Sequence, residues 1–198
     1  SHHTDLRGVD LDEALKAAFA LQPIEAGAEA HEKALDFLVQ RLERSLTDSG
    51  HPVDLVRAVL PLAALPAVAR ERVEELGKLS GDADFLGLAS TMQRIRNIAP
   101  EGTAAVARVS TPEPADTLLA EAIHGTDLSG QDRTLTALSS AVQPLVEAVG
   151  RFFEEVLVNA EDPTTRSERL GLLVSIDELV TAHIALDWAA LPKDLRAA

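Results

Sequence analysis

One short segment of the sequence groups side chains that could bind phosphates or nucleobases: Gln93-Arg94-Ile95-Arg96-Asn97-Ile98. Guanidinium and amide groups can form paired hydrogen bonds to phosphate oxygens or to base edges, and the segment contains two of each group. At 100° per residue on a helix, Gln93, Arg94 and Asn97 share the face opposite the apolar stripe, whereas Arg96 lies at the stripe's margin. The alternative is that the arginines pair with surface carboxylates, and the segment alone favours that second interpretation.

The sequence shows none of the common motifs for catalysis or metal binding. Glycine-rich phosphate loops and the GxSxG turn do not occur, and the six histidines lack the spacing of metal ligands. There is no cysteine, which removes disulfides, thiolate zinc sites and cysteine nucleophiles. His183 lies on an apolar helix face and is interpreted as a histidine of the core or its border. We expect no catalytic residue and no metal site in this chain.

The charge of the chain, taken alone, argues against a nucleic-acid partner. Eighteen basic and 32 acidic residues give a net charge of −14. An acidic domain does not attract phosphate backbones at long range, and only five Phe, one Trp and no Tyr could stack on bases. These numbers favour an alternative function, that of an acidic helical module that holds protein partners and does not bind RNA.

The sequence predicts helices along nearly the whole chain, and these helices must position the polar side chains of segment 93–98. Apolar residues recur at spacings of three and four, and no segment alternates like a strand over a useful length. Glycine and proline residues separate the helical segments and mark residues 100–114 as a connection. We therefore predict an all-α helical bundle. The predicted helices cover residues 11–22, 28–49, 53–60, 66–78, 83–99, 115–124, 131–142, 144–157 and 163–184.

The last predicted helix is expected to lie centrally in the bundle. Asp162 is a suitable N-cap, and Pro163 suits the first helical position. The apolar residues of this helix, among them Leu173, Ile176 and Val180, cover more than half of its circumference. A helix of that kind must be surrounded by other elements.

Composition predicts one globular domain. The chain has 198 residues, of which 46% are hydrophobic and 25% charged. We expect residues 10–198 to form the domain and residues 1–9 a tail, in which Ser1-His2-His3 is either native sequence or, as we favour, an affinity-tag remnant. The sole methionine is Met92, so we expect a piece of a longer protein. Since no run of about 20 apolar residues and no secretion leader occurs, we expect a cytoplasmic location without membrane contact.

Three ordered segments of the sequence resemble the C-terminal region of the β subunit of the bacterial two-subunit glycyl-tRNA synthetases. Their order and spacing agree with that family, and together they cover most of residues 10–190. The first segment is Leu35-Asp36-Phe37-Leu38 with Arg41-Leu42, leading through Gly50 to Asp54-Leu55-Val56-Arg57-Ala58-Val59-Leu60; the second is Gln93-Arg94-Ile95-Arg96-Asn97-Ile98; the third is Phe152-Phe153-Glu154-Glu155-Val156-Leu157-Val158-Asn159-Ala160-Glu161-Asp162-Pro163, followed by Arg166, Arg169-Leu170 and Leu172-Leu173.

The resemblance implies an α-helical anticodon-binding domain similar to those of arginyl-type synthetases. It implies that this domain helps to dock glycine tRNA, and that ATP-dependent charging happens on a separate α subunit or α region. ATP and glycine would then bind there, with no cofactor in the present chain. The partners expected from the resemblance are glycine tRNA and the α subunit, with no role for DNA.

Anticodon recognition gives the sequence a specific chemical task. Every glycine anticodon ends in two cytosines, and cytosine offers an N4 amino donor beside the N3 and O2 acceptors. A carboxylate together with an arginine or amide could select that edge. We expect Arg94, Arg96 and Asn97 to form a small basic island for this purpose. Arg166 and Arg169, three apart on one helical face, form a weaker second set that could equally pair with Glu161 or Asp162.

Overall fold

The computed structural model describes residues 8–21 and 28–192, and the all-α prediction is confirmed. Within those ranges the chain forms nine α-helices and no strand. Two short 3₁₀ turns, Leu60–Leu62 and Trp188–Ala190, complete the elements. The helices are α1 (Leu11–Ala20), α2 (Ala28–Asp48), α3 (Val53–Ala58), α4 (Pro66–Leu79), α5 (Ala83–Ile98), α6 (Pro114–Gly125), α7 (Leu135–Ala141), α8 (Gln143–Glu155) and α9 (Pro163–His183).

Four of the described helices begin where the side chain of the N-cap residue satisfies free backbone N–H groups. Asp10 caps α1, and Asp82 caps α5, with its Oδ1 accepting from the N–H of Phe85 at 2.8 Å. Asp162 caps α9 as expected, with Pro163 in the first turn. After the C-terminal end of α2, Gly50 adopts a φ of 92°, a left-handed conformation that favours glycine.

Several helices are shorter than the apolar spacing predicts, and in three of them the structure shows the cause. The helix placed at 131–142 begins only at Leu135, because the hydroxyl of Thr134 caps it. The helix expected to reach residue 157 ends at Glu155, because Val156 is extended (φ −124°, ψ 147°) and turns its side chain into the core. The helix expected at 53–60 ends at Ala58 and passes into the 3₁₀ turn that contains Pro61.

The core is one cluster of apolar side chains to which all helices from α2 to α9 contribute. The prediction that α9 presents a broad buried surface is confirmed: Leu173 and Val180 have no exposed area, and Ile176 has 1%. This helix packs against α5 and α6. Trp188 is fully buried beside Phe85, so the C-terminal turn closes the core over the start of α5.

Helices α5 and α8 lie side by side and run in the same direction. The side chain of Gln143 donates to the carbonyl of Asp84, a contact between residues 59 apart in sequence. The same separation relates Phe153 to Arg94, which are in contact, and Val146 to Gly87, where an added Cβ would lie 3.7 Å from Val146 Cγ1. This constant register places the second half of α8 beside the polar segment 93–98.

Candidate nucleic-acid interface

The polar side chains of segment 93–98 divide into a group that holds the fold together and a group that faces solvent. Gln93 belongs to the first group. Its Nε2 donates to the backbone carbonyls of Trp188 at 3.2 Å and Leu191 at 2.8 Å. Because these two bonds fix the C-terminal turn against α5, the Gln93 amide is a structural group.

Arg96 also serves the fold, by joining α5 to α9. Its Nε donates to Asp177 Oδ1 at 2.7 Å, its Nη2 donates to Thr181 Oγ1 at 3.2 Å, and its Nη1 lies 3.6 Å from Asp187 Oδ1. The side chain is 26% exposed, so part of the guanidinium still reaches solvent. For Arg96, the interpretation of these arginines as surface ion pairs is the one that the structure bears out.

Arg94 and Asn97 form the group that faces solvent. Both are exposed and lie three residues apart on one side of α5. Neither side chain has a hydrogen bond or an ion pair to any residue within 8–21 or 28–192. The guanidinium carbon of Arg94 instead lies over the ring of Phe153, 3.6 Å from its centroid, in a cation–π contact.

Phe153 is itself held from behind by the core. Its ring meets the buried ring of Phe152 edge-on, at 5.9 Å between centroids and an interplanar angle of 68°. Phe152, Phe153 and Arg94 thus form three layers from the core to the surface. A rigid ring beneath the guanidinium restricts its position more than solvent alone would.

The expected second set on α9 does not form, because its two arginines have different environments. Arg166 is half-buried in the first turn, and its side chain has no hydrogen bond or ion pair to a residue within the described ranges. It lies close enough to Asp162 to lower the pKa of that carboxyl, although the hydrogen bonds from Thr165 have the larger effect. Its guanidinium keeps its donors available.

Arg169 is not available to contact RNA, because its side chain is only 3% exposed and its hydrogen-bond donors are occupied. Nε and Nη2 each donate to a different oxygen of Asp116 at 2.9 Å, Nη2 also contacts Glu113, and Nη1 donates to the carbonyl of Leu157 at 2.9 Å. These hydrogen bonds, above all those to Asp116, raise the pKa of Arg169 above its ordinary value. The two carboxylate acceptors lie at the start of α6, where Glu113 is the N-cap and Asp116 is in the first turn, and they differ from the Glu161 and Asp162 that the spacing suggested.

Outside segment 93–98, His183 has structural surroundings. His183 is buried, with Nε2 3.4 Å from the carbonyl of Asp132, as expected for a histidine at the border of the core. No three His, Cys, Asp or Glu residues of the described ranges lie where they could hold a metal ion. None of the described helices is long and apolar enough to cross a membrane.

A groove of about 500 Å³ lies between α6 and residues 107–112, away from segment 93–98. Its lining is mostly apolar, and it includes Asp116, whose carboxylate is already bonded to Arg169. Arg108 and His124 also line it. None of the sequence-predicted contact residues is part of this groove.

Comparison with known proteins gives consistent matches, although no family model matches the chain. The chain is 36% identical over 157 residues to the glycine–tRNA ligase beta subunit of Anaeromyxobacter dehalogenans strain 2CP-C, which covers 75% of this chain and 22% of that protein. It is 32% identical over 183 residues to the beta subunit of Acidobacterium capsulatum, covering 83% and 26%. It is 29% identical over 180 residues to that of Actinobacillus pleuropneumoniae serotype 7, covering 86% and 26%.

These relatives are ligases of the aminoacyl-tRNA synthetase class, and the resemblance inferred from three segments is confirmed. The chain belongs to the family of glycine–tRNA ligase beta subunits. It spans about a quarter of the length of the relatives it matches. Its position at the C-terminal end of the subunit stays a prediction.

Proposed function

We propose that this chain binds glycine tRNA at the anticodon and helps to position that tRNA for charging. The observation that carries the proposal is the match to glycine–tRNA ligase beta subunits over three quarters or more of the chain. The helical architecture supports it, since the resemblance to the β subunit implies an α-helical anticodon-binding domain. The proposed role places the chain in the cytoplasm.

The surface that supports this proposal is the outer side of α5 at Arg94 and Asn97. Their donors are exposed and have no partner within the described ranges, so they are available to an incoming ligand. Arg96 lies between them in sequence and offers only the part of its guanidinium that Asp177 leaves free. Arg166 on α9 adds a further cation with free donors.

A local site of this kind can coexist with a net charge of −14. Interactions between exposed charges fall off over a Debye length of about 8 Å at physiological salt, so distant carboxylates have little effect on a short-range contact. Direct contacts to an RNA loop are made by hydrogen bonds and stacking on unpaired bases. The acidic surface therefore weakens long-range attraction more than it weakens the bound state.

In this proposal the chain does not activate glycine. ATP and glycine bind to the α subunit or α region, which carries out the charging reaction. The present chain supplies binding energy and orientation for the tRNA. Its partners are then glycine tRNA and the α subunit.

The experiment that tests the proposal is a titration of the purified chain with glycine tRNA and with a tRNA of unrelated anticodon. It is carried out at two salt concentrations, because phosphate contacts weaken predictably as salt rises. We expect tighter binding of glycine tRNA, weakened by Arg94→Ala and by Asn97→Ala. Arg70→Ala, which removes an exposed cation of α4, is the matched control and leaves the affinity unchanged. If neither RNA binds, the acidic protein-interaction module becomes the better account.

A further inference from the structure

We propose that Arg94 provides a stacking surface for one unpaired nucleobase, with Phe153 supporting the opposite face of its guanidinium. The inference rests on the proposed function, since it takes the ligand to be RNA. It adds a mode of binding: a flat contact with the face of a base, in addition to any hydrogen bond to a phosphate or base edge.

The short distance between the two groups favours a guanidinium that lies with one face against the ring. Its central carbon is 3.6 Å from the ring centroid. A guanidinium standing on edge would bring at least one nitrogen closer by up to about 1.3 Å, the length of a C–N bond, which is inside van der Waals contact. One face of the planar cation is therefore covered by Phe153. The other face is turned away from the protein, because Arg94 is exposed.

Among the described residues, Phe37 on α2 is the only exposed Phe or Trp ring, so an arginine plane is suited to this chain as a stacking surface. Unpaired bases in RNA loops are commonly stacked on aromatic side chains or on arginine planes. The rings of Phe85, Phe152 and Trp188 are fully buried here, and the chain has no tyrosine. Phe153 is part-buried, and the Arg94 guanidinium lies over its ring. On this side of α5, the arginine is the flat group that a base can reach.

The seam between α5 and α8 leaves room beside this stacking surface. The constant separation of 59 residues places Gly150 across from Thr91, one helical turn before the pair formed by Arg94 and Phe153. A Cβ added at Gly150 would have no neighbour within 4 Å, so no side chain fills that space. Asn97, one turn further along α5, is exposed and can bond the edge of a base held against Arg94.

The test compares substitutions that keep the positive charge with one that removes it. The probe is the anticodon stem-loop of glycine tRNA, and its affinity is measured for the wild-type chain, Arg94→Lys and Arg94→Gln. Lysine keeps the charge but has no plane to stack on, so we expect Arg94→Lys to weaken binding about tenfold, nearly as much as Arg94→Gln. The matched control is Arg151→Lys on α8, about 200° around the helix from Phe153, which changes the affinity by less than about twofold.

A second readout reports stacking directly. A set of stem-loops carries 2-aminopurine at one loop position each, outside the two anticodon cytosines. We expect one of them to change its fluorescence with the wild-type chain and not with Arg94→Lys. If Arg94→Lys binds like the wild type while Arg94→Gln does not, the contact is to phosphate and the stacking proposal is wrong. If both variants bind like the wild type, Arg94 does not contact the RNA. If the wild-type chain does not bind the stem-loop, the proposed function itself fails.

Discussion

Asp116 and Arg169 form an ion pair that is almost fully removed from solvent, with 1% and 3% of the two residues exposed. Two parallel hydrogen bonds of 2.9 Å join the guanidinium to the carboxylate. The same carboxylate accepts the backbone N–H of Glu113 at 2.8 Å and so caps α6. One buried acid thus fixes the start of α6 and the position of α9 together.

Replacing Arg169 with methionine is expected to destabilise the fold strongly, because the Asp116 charge would remain buried without its partner. The expected loss is about 3–5 kcal/mol in the free energy of unfolding, measured by urea denaturation. Arg166→Met, in the first turn of the same helix and without a side-chain hydrogen bond within the described ranges, is the control and should change stability by less than about 0.5 kcal/mol. Adding Asp116→Leu to Arg169→Met should recover part of the loss. An unchanged denaturation midpoint for Arg169→Met would contradict the assigned role.

Two helical glycines are expected to respond to alanine in opposite directions. At Gly171 in α9, an added Cβ would lie 2.7 Å from the carbonyl oxygen of Ala104, where the connecting segment crosses the helix. Overpacking of that kind costs about 1–3 kcal/mol. At Gly150 in α8 the added Cβ meets nothing within 4 Å, so Gly150→Ala should stabilise the chain by about 0.5–1 kcal/mol through helix propensity.

Thermal melts of the two glycine variants test both the expected loss of stability and the expected gain. The melting temperature should fall for Gly171→Ala and rise for Gly150→Ala. A gain in stability for Gly171→Ala would show that the segment around Ala104 does not lie against α9.

Asp162 is expected to make part of the stability of the fold dependent on pH. Hydrogen bonds of 2.7 Å from the backbone N–H and the hydroxyl of Thr165 lower the pKa of this carboxyl below its ordinary value of 3.8. A group with a lowered pKa stabilises the folded state fully above its unfolded value, and this contribution is lost as the pH falls through the folded pKa. The loss is therefore expected below about pH 4.

Melting temperatures between neutral and strongly acidic pH test this assignment. Asp162→Asn retains an oxygen that can cap α9 but cannot titrate, so its melting temperature should fall less on acidification than that of the wild type. Asp36→Asn removes an exposed carboxylate of α2 and serves as the control. Identical acid dependence for Asp162→Asn and the wild type would refute the role of Asp162.

The isolated chain is expected to form no glycyl-adenylate. Its sequence has no glycine-rich phosphate loop and no GxSxG turn. Glycine-dependent exchange of pyrophosphate into ATP should therefore stay at the blank level for the purified chain, with a complete two-subunit enzyme as positive control. Turnover by the chain alone would place catalysis in this part of the protein.

The helices could be predicted from sequence because their signals are local. Asp82 and Asp162 mark helix starts by their own chemistry, and Gly50 marks an end. The early end of α8 could not be predicted, because Val156 continues the apolar spacing while its backbone is extended. There, packing against distant residues overrode the local pattern.

The candidate site could be predicted only in part, because it depends on contacts between distant residues. Helical geometry predicted that Arg94 and Asn97 share a face. It could not show that Gln93 bonds to carbonyls 95 and 98 residues away, or that Arg169 pairs with an acid 53 residues before it. The contact of Arg94 with Phe153 likewise depends on the register between α5 and α8, which no local pattern specifies.

The most direct test of the central claim is the affinity of the chain for the glycine anticodon stem-loop, with its two anticodon cytosines intact or replaced by uracil. Uracil presents an acceptor where cytosine presents its amino donor, so groups arranged for cytosine are left unpaired. We predict that each replacement weakens binding by about 1–3 kcal/mol in a titration at fixed salt. Equal binding of the two RNAs, or binding of neither, would contradict recognition of the anticodon by this chain.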